Sequence, residues 1–483
     1  MATPLLPESL AAFYDSHSVP SSAVEKYLKN EHPSHSSRFV RLNPRFCLTE
    51  TLSLLSSELS SLSPPYPPSS LTPVTWLPSS ANFYAMPSSV PLSTLPSYKS
   101  GRVYGMDTSS GAAVSALVPL PPSPLLGHGV SVLDLCCSPG QKLCMLADAF
   151  LPALLSSSIS GSSLTVVGVD ISSPRLSVSR RLVSKYLSAR NPLVVVGSSS
   201  VVRPVVRLYH CDGTSFLPSP SSSGELFYDS RAADQEEPTR EPRQEGTDGK
   251  PPPPPRKRMN KSARARDAKR LKDLAAADAA PQPSSGADEG GLESEAAAAP
   301  AAEPRGGESK SSASASASVP VASSAARQFD YVLVDAECST DGALRHLQHR
   351  LKSDPLAAAC INVTSLDSLT ALQVGLLSNG FKNLKVGGSL VYSTCSLSRA
   401  QNEGVVERFF AQFVSDGEAS VVPVDLGGDT AAPTTSGGIE HTLRFTPRFE
   451  ETESGDMNSE NADEAVPMST GGGFFICKIK RNF

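Results

Sequence analysis

The chain alternates between short apolar runs that end on a polar residue and longer stretches with apolar positions three and four apart. Val130 to Leu135, Leu164 to Asp170, Val205 to Cys211, Phe329 to Asp335 and Gly388 to Thr394 read as buried strands. Between them lie stretches of helical period: Gln141 to Leu155, interrupted late by Pro152, then Ser173 to Ala189 and Asn362 to Leu384. In the second, Leu176, Leu182, Val183, Tyr186 and Leu187 fall on one side, and a further helix, Gln401 to Phe413, follows the fifth run. Such alternation predicts an α/β fold, a mostly parallel, doubly wound sheet. Gly472 to Ile479 is expected to close it, paired with a strand around Ser420 to Leu426.

Residues 1–126 predict a small N-terminal α+β region with a linker into the core, and 127–483 the main domain. Pro7 to Tyr14 and Ser21 to Lys29 have helical spacing, the second opened by a Ser cap, and Leu48 to Leu62 reads as another helix. Arg38 to Asn43 and Val74 to Leu77 suit strands. Lys26, Lys29, Arg38, Arg41 and Arg45 give this region a local basic bias that a phosphate backbone could use. A solvated charged face reads equally well.

The alternation stops over 218–327, which is Ser-, Pro-, Ala- and Glu-rich and has almost no aromatics. Such composition buries too little apolar surface to offset its ordering entropy, and predicts a disordered insertion. Its basic block, Arg256 to Lys272, reads as a nuclear-import or RNA-contact segment slightly ahead of a plain solvated tract, which favours the nucleus over the cytoplasm. Gly427 to Ser469, acidic and polar, is expected to be a surface loop.

Composition narrows the class. The 42 prolines fit a long non-packing segment, and a net charge of −5 gives no global nucleic-acid signal, so any basic surface must be local. Nine cysteines without paired spacing, and a start lacking a basic n-region, point to a reduced intracellular protein rather than a disulfide framework. No apolar run reaches membrane-spanning length, and a soluble protein is expected.

The candidate chemistry collects at strand ends, the edge where open α/β sheets bind ligands. The fifth run leads into Thr394-Cys395-Ser396, and the fourth into Asp335-Ala336-Glu337-Cys338. One strand-end Cys is most simply a small buried hydrophobe; two, with Asp335 beside one of them, point to thiol chemistry on a bound molecule. Strand one runs into Cys136-Cys137-Ser138-Pro139-Gly140-Gln141-Lys142, a small-residue turn that lets backbone approach a ligand. It is neither G-x-G-x-x-G nor a P-loop, which disfavours dinucleotides and nucleoside triphosphates. A single acid at a strand end is often a cap; four, at Asp134, Asp170, Asp212 and Asp335, are harder to dismiss. A cofactor with a ribose and a base but no phosphates, S-adenosylmethionine, fits. Cys136, Cys137 and Cys144 form no C-x-x-C pair, and no metal site is expected.

These pieces resemble the NOL1/NOP2/Sun family of RNA cytosine-5 methyltransferases. The matching motifs are Leu133 to Lys142, Val169-Asp170, Asp212-Gly213, Asp335 to Ser339, and Tyr392 to Ser396 with Gln401-Asn402-Glu403. Arg38 to Asn43 and Gly105 to Ser110 resemble that family's RNA-binding region and linker. Glu337 stands where the family usually has Pro, and Gln141 where it has Gly. The resemblance implies a Rossmann-like S-adenosylmethionine-dependent methyltransferase domain preceded by a small RNA-binding domain.

It further implies that 5-methylcytosine forms in RNA, tRNA or rRNA; separately, the chain is expected to act as a monomer without membrane attachment. Carbon 5 of cytosine is a poor nucleophile until a thiolate adds at carbon 6. The resemblance makes Cys395 that nucleophile, with Asp335 holding the cytosine edge and Cys338 assisting release. Lys142 would favour charge on the base or thiolate, while Cys136, Cys137, Ser138, Pro139, Gly140, Gln141, Lys142, Asp170, Asp212 and Asp335 would hold the cofactor. DNA cytosine-5 methyltransferases attack from a fourth-strand loop, which would exchange the thiols and make Cys338 the nucleophile. A non-catalytic RNA-binding assembly factor on a retained methyltransferase fold is the alternative of another class.

Overall fold

The computed structural model describes residues 6, 8–29, 37–118, 129–156, 163–187, 203–218, 224–232, 329–344, 347–348, 366–447 and 472–483. The chain begins with a helical pair, α1 (Glu8–Ser16) and α2 (Ser21–Leu28). Ser21 is not the cap expected of it. Pro20 takes that position, and Asp15 accepts the Ser21 N–H at 2.8 Å and its hydroxyl at 3.0 Å. The pair buries Leu10, Tyr14, Val24 and Tyr27 against Leu344, Leu347 and Leu397, residues that follow the two candidate thiols in sequence.

A four-stranded antiparallel sheet comes next. It contains β1 (Ser37–Leu42), β2 (Thr72–Pro73), β3 (Phe83–Pro87) and β4 (Val103–Gly105) in the order β2-β3-β1-β4. Two helices, α3 (Leu48–Ser60) and α4 (Pro96–Lys99), accompany it. Val74 to Leu77 is not the strand its composition predicts: the strand is confined to Thr72–Pro73, and Val74, Trp76 and Leu77 enter the core from a turn. A run of buried apolar residues satisfies a strand and a core-plugging loop alike, because burial is the same in both.

Helix α5 (Thr108–Leu117), hidden in the sequence by its small residues, is buried on nearly every side. A Cβ at Gly111 would meet the Phe83 ring at 2.5 Å, so glycine permits this close seating.

The large sheet is built from β5 (Val130–Asp134), β6 (Leu164–Asp170), β7 (Val205–His210), β8 (Glu225–Asp229), β9 (Phe329–Asp335), β10 (Leu384–Thr394), β11 (Ala419–Val421), β12 (Thr435–Ser436), β13 (Leu443–Phe445) and β14 (Phe474–Arg481). Its order is β12-β13-β14-β10-β9-β5-β6-β7-β8, with β11 paired to β14. The five strands expected from the sequence form the parallel centre, β7-β6-β5-β9-β10. The chain winds outward from β5 to β7, then returns beside β5 with β9, which places a topological switch point between β5 and β9. This is the doubly wound architecture that the alternation predicts. Helices α6 (Gln141–Ala149), α7 (Leu151–Ser156), α8 (Ser173–Tyr186), α9 (Leu366–Asn383) and α10 (Glu403–Phe413) complete the alternation. The helical interruption falls at Phe150 rather than Pro152, which sits harmlessly in the first turn of α7.

Three further expectations are corrected. The stretch 218–327 is not wholly irregular: β8 lies inside it and pairs antiparallel with β7, while 233–328, including the basic block, lies outside the described residues. The loop expected over 427–469 contains β12 and β13, and Phe445 is buried against Trp76 at a ring-centroid distance of 5.5 Å. Pairing of β13 with β14, backbone hydrogen bonds from Asp429 and Thr430 to Thr75 and the buried Phe445 together hold this polar segment to the core.

The third concerns the basic residues of the N-terminal region. Arg41 is buried, donating from Nε to the Ala81 carbonyl at 3.1 Å, from Nη1 to Asp148 at 3.1 Å, and to the Tyr104 hydroxyl. Arg45 reaches the other Asp148 oxygen at 2.9 Å. Asp148 belongs to α6, so two of the five cations read as serving either a phosphate backbone or a solvated face instead tie β1 and the turn after it to the large sheet's helices. The apolar core likewise runs on from Phe39, Trp76 and Phe83 into Leu143, Leu146 and Val166.

Candidate active site

Parallel pairing of β9 with β10 aligns Asp335 with Ser393 and brings the carboxyl ends of both strands to one edge. Beyond them the two loops stay in contact. The Ala336 amide donates to the Ser393 carbonyl at 3.0 Å, and the Gly342 amide to the Cys395 carbonyl at 3.0 Å. The sulfurs of Cys338 and Cys395 consequently lie 3.1 Å apart, each partly exposed. The hydrogen bond to Cys338, burial and the nearby carboxylates Asp335 and Asp341 push the Cys395 thiol well above its ordinary pKa.

The turn after β5 supplies the second wall. Its amides at Leu135 and Cys137 donate to Leu333 and Val169, so the turn straddles β9 and β6. Gly140 precedes α6 with φ of +112°, and a Cβ there would come within 3.1 Å of Ser179 Cα; only glycine closes this turn. The first turn of α6 then aims Lys142 Nζ at Asp335 Oδ2, 2.8 Å away, while Asp335 Oδ1 accepts from the Ser393 hydroxyl at 2.8 Å. Burial alone would lower the Lys142 pKa, but Asp335 and Asp134 outweigh it and hold the ammonium above its usual value.

A cavity of about 370 Å³ opens on this turn. It is lined by Asp134, the turn Cys136 to Lys142 and Asp335, together with Arg38, Phe39, Met106 and Asp107. Asp134 is buried, and neither carboxylate oxygen has a hydrogen-bond partner of normal geometry. Burial and then Asp335 push its pKa up to about 8, against the pull of Lys142 and the Cys136 amide. A cavity whose wall holds three carboxylates, one of them with unused acceptors, suits a ligand bearing an amino group, hydroxyls or positive charge and disfavours a polyphosphate. S-adenosylmethionine, a sulfonium with an amino group, meets that requirement.

Not every residue singled out from the sequence gathers here. Asp170 is buried beneath the turn, accepting from the Ser138 amide at 3.3 Å and the Ser172 amide at 2.8 Å; it braces the loop and does not line the cavity. Asp212 stands further off, exposed, with Oδ1 accepting from the Thr214 amide and hydroxyl at 2.8 Å each. Glu337 projects into solvent, and its backbone carbonyl accepts from Gln373 Nε2 at 2.8 Å. Its charge is therefore not buried against the thiols, and the position tolerates the departure from Pro.

Arg38, Asp107 and Asp341 were not distinguished by the sequence as site residues. Arg38 counts there only toward a local basic bias, Asp107 sits in a segment whose only signal is resemblance, and Asp341 reads as an ordinary turn residue in Ser339-Thr340-Asp341-Gly342.

Fold and site together define a class: a Rossmann-like methyltransferase domain with its ligand turn at the switch point. The 16S rRNA methyltransferase RsmB/F family matches residues 311–456. Ribosomal RNA small subunit methyltransferase F of Shewanella woodyi is 32% identical over 154 residues, 32% of this chain and 26% of that protein. The mitochondrial tRNA (cytosine(34)-C(5))-methyltransferase of Mus musculus is 39% identical over 100 residues, 21% of this chain and 26% of that protein. The 5-cytosine rRNA methyltransferase nsun-4 of Caenorhabditis elegans is 36% identical over 156 residues, 32% of this chain and 29% of that protein. The crystal structure of NSun6 from Pyrococcus horikoshii superposes with a TM-score of 0.48 at 13% identity, covering 99% of each chain.

Over these stretches the chain is similar to methyltransferases of the RsmB/F and NOL1/NOP2/Sun type, which depend on S-adenosylmethionine. The matched stretches span less than a third of the length of these relatives.

Proposed function

We propose that this chain methylates carbon 5 of cytosine in RNA, tRNA or rRNA, through a covalent adduct between Cys395 and carbon 6. The observation that carries the reading is the 3.1 Å separation of two sulfurs beside the Lys142–Asp335 pair, at the carboxyl edge of the sheet. The cofactor turn with Asp134 would hold S-adenosylmethionine, which supplies an electrophilic methyl group. Asp170 would act on it indirectly, by bracing Ser138; Asp212 is too far engaged in its own turn to be assigned more than an edge position.

The chain's own residues account for the remaining steps. Cys395 must give up its proton to solvent and form a bond from sulfur to carbon 6, which moves the electron pair of the carbon 5–carbon 6 double bond onto carbon 5. Asp335, positioned by Ser393 and Lys142, accepts from the base's amino edge, and Lys142 offsets negative charge as it develops. After transfer Cys338, its own proton first given up to solvent, takes the proton from carbon 5 as a thiolate, and the electron pair left behind expels Cys395 from carbon 6. The base must be single-stranded or flipped, since carbon 6 is attacked from its face. Arg38, which also lines the cavity, would meet the RNA.

Replacing each Cys by Ser in turn tests the assignment. A denaturant-resistant RNA adduct is expected to accumulate with Cys338→Ser and to be absent with Cys395→Ser; the reverse pattern would make Cys338 the nucleophile. Cofactor binding without transfer to any cellular RNA would instead favour a non-catalytic assembly factor.

A further inference from the structure

We propose that Asp341 is a positioning residue: its buried carboxylate fastens the two thiol-bearing loops to one another and thereby fixes the approach of Cys338 to Cys395. Asp341 is completely buried, three residues beyond Cys338. Its Oδ1 accepts from the Ser396 hydroxyl at 2.8 Å and from the Ser339 hydroxyl; its Oδ2 accepts from the Leu397 amide at 2.7 Å. Ser339 follows Cys338 directly and Ser396 follows Cys395 directly, so one carboxylate holds the neighbour of each sulfur.

The residue is itself secured. Its carbonyl accepts from the Tyr14 hydroxyl of α1 at 2.7 Å, which connects the N-terminal helical pair to this junction. Gln401 reinforces the Ser339 side, accepting its amide at 3.0 Å and donating to its hydroxyl at 2.7 Å. On the other side Asn402 donates to the Ser396 carbonyl at 2.9 Å and accepts from Thr394 at 2.5 Å.

These bonds do work that strand pairing cannot. The β9–β10 ladder ends at Ser393 and Asp335, and the sulfurs lie beyond it, where a loop without tethers would drift. Catalytic groups lose efficiency steeply when displaced by about 1 Å. A neutral Asn at position 341 can keep all three tethers, because its amide oxygen accepts the Leu397 N–H and its NH₂ donates to hydroxyls that turn to receive it. Alanine keeps none.

The inference uses the proposed methyl transfer for its consequence, but the position of the sulfurs can be read without RNA. A trivalent phenylarsenical binds two thiols only when both are close together. Full-length wild type and Asp341→Asn are expected to bind it through Cys338 and Cys395 with affinities within about threefold, and Asp341→Ala about tenfold or more weakly. In single-turnover transfer, Asp341→Ala should fall at least about tenfold with RNA KM within about twofold, and Asp341→Asn should recover most of the loss.

Should Asp341→Ala not fold, the double variant Ser339→Ala/Ser396→Ala removes both hydroxyl tethers and carries the same expectation. Equal arsenical affinity in wild type and the Ala variant, or equal loss in Ala and Asn variants, would overturn the positioning role. Arsenical results as expected, with no RNA methylation even by wild type, would instead overturn the proposed reaction and leave the positioning role standing.

Discussion

Lys142 Nζ and Asp335 Oδ2 form a 2.8 Å ion pair across the switch point, joining the first turn of α6 to the end of β9. Both groups are less than a quarter exposed, so bulk water screens the pair little. The pair keeps a cation beside the two thiols in a wall otherwise rich in carboxylates.

Lys142→Met is expected to leave Asp335 and Asp134 without that cation. Single-turnover methyl transfer should fall by about 10²-fold or more, the scale of losing one preorganised charge-stabilising donor. RNA affinity, read by filter binding, should change by only a few-fold. An unchanged transfer rate would remove Lys142 from the catalytic group.

Asp134 makes stability depend on pH in an unusual direction. Its folded-state pKa is pushed up to about 8 by burial and Asp335, above the ordinary carboxylate value near 4. Between those two values the folded chain keeps a proton that the unfolded chain releases, so this group's contribution to stability declines as pH rises from about 4 to 8 and is level above. Asp134→Asn removes the dependence. The melting temperature of Asp134→Asn relative to wild type should therefore climb between pH 5 and pH 8 and then stay constant. A difference that is flat across the range would mean that Asp134 is ionised in the fold.

The Arg41–Asp148–Arg45 group predicts an asymmetry among substitutions. Asp148→Ala strands two buried guanidinium groups and should cost about 3–5 kcal/mol in urea unfolding. Replacing all three residues by apolar ones of similar volume should cost much less, since no buried charge is then left uncompensated. Equal costs would show that the ion pairs themselves, rather than their completeness, support the fold.

Much of the large sheet was legible because its signal is local. Five runs of branched apolar residues gave the five parallel strands, with β6 and β9 at their expected bounds. The β11–β14 pairing was also foreseeable, because Gly472 to Ile479 needs a partner once the parallel strands are used. Elements of small or mixed composition escaped: α5 is built from Thr, Ser, Gly and Ala, and β3 and β4 are short segments of an N-terminal sheet whose order no periodicity encodes. Val74 to Leu77 shows the converse, an apolar run whose burial is met from a turn.

For the site, the sequence alone determined which chemistry sits at strand ends: Asp134, Asp335, Cys338, Cys395 and the turn Cys136 to Lys142. It did so because the pattern of buried strands and polar punctuation is written residue by residue. Only the tertiary structure decided that Cys338 and Cys395, 57 residues apart, come within 3.1 Å, and that Asp341 reaches both loops. It also turned Arg41 and Arg45 inward and set Asp212 aside. Such distances depend on strand register, loop closure and the packing of α1 and α6, which are summed over the whole chain and carry no local signature.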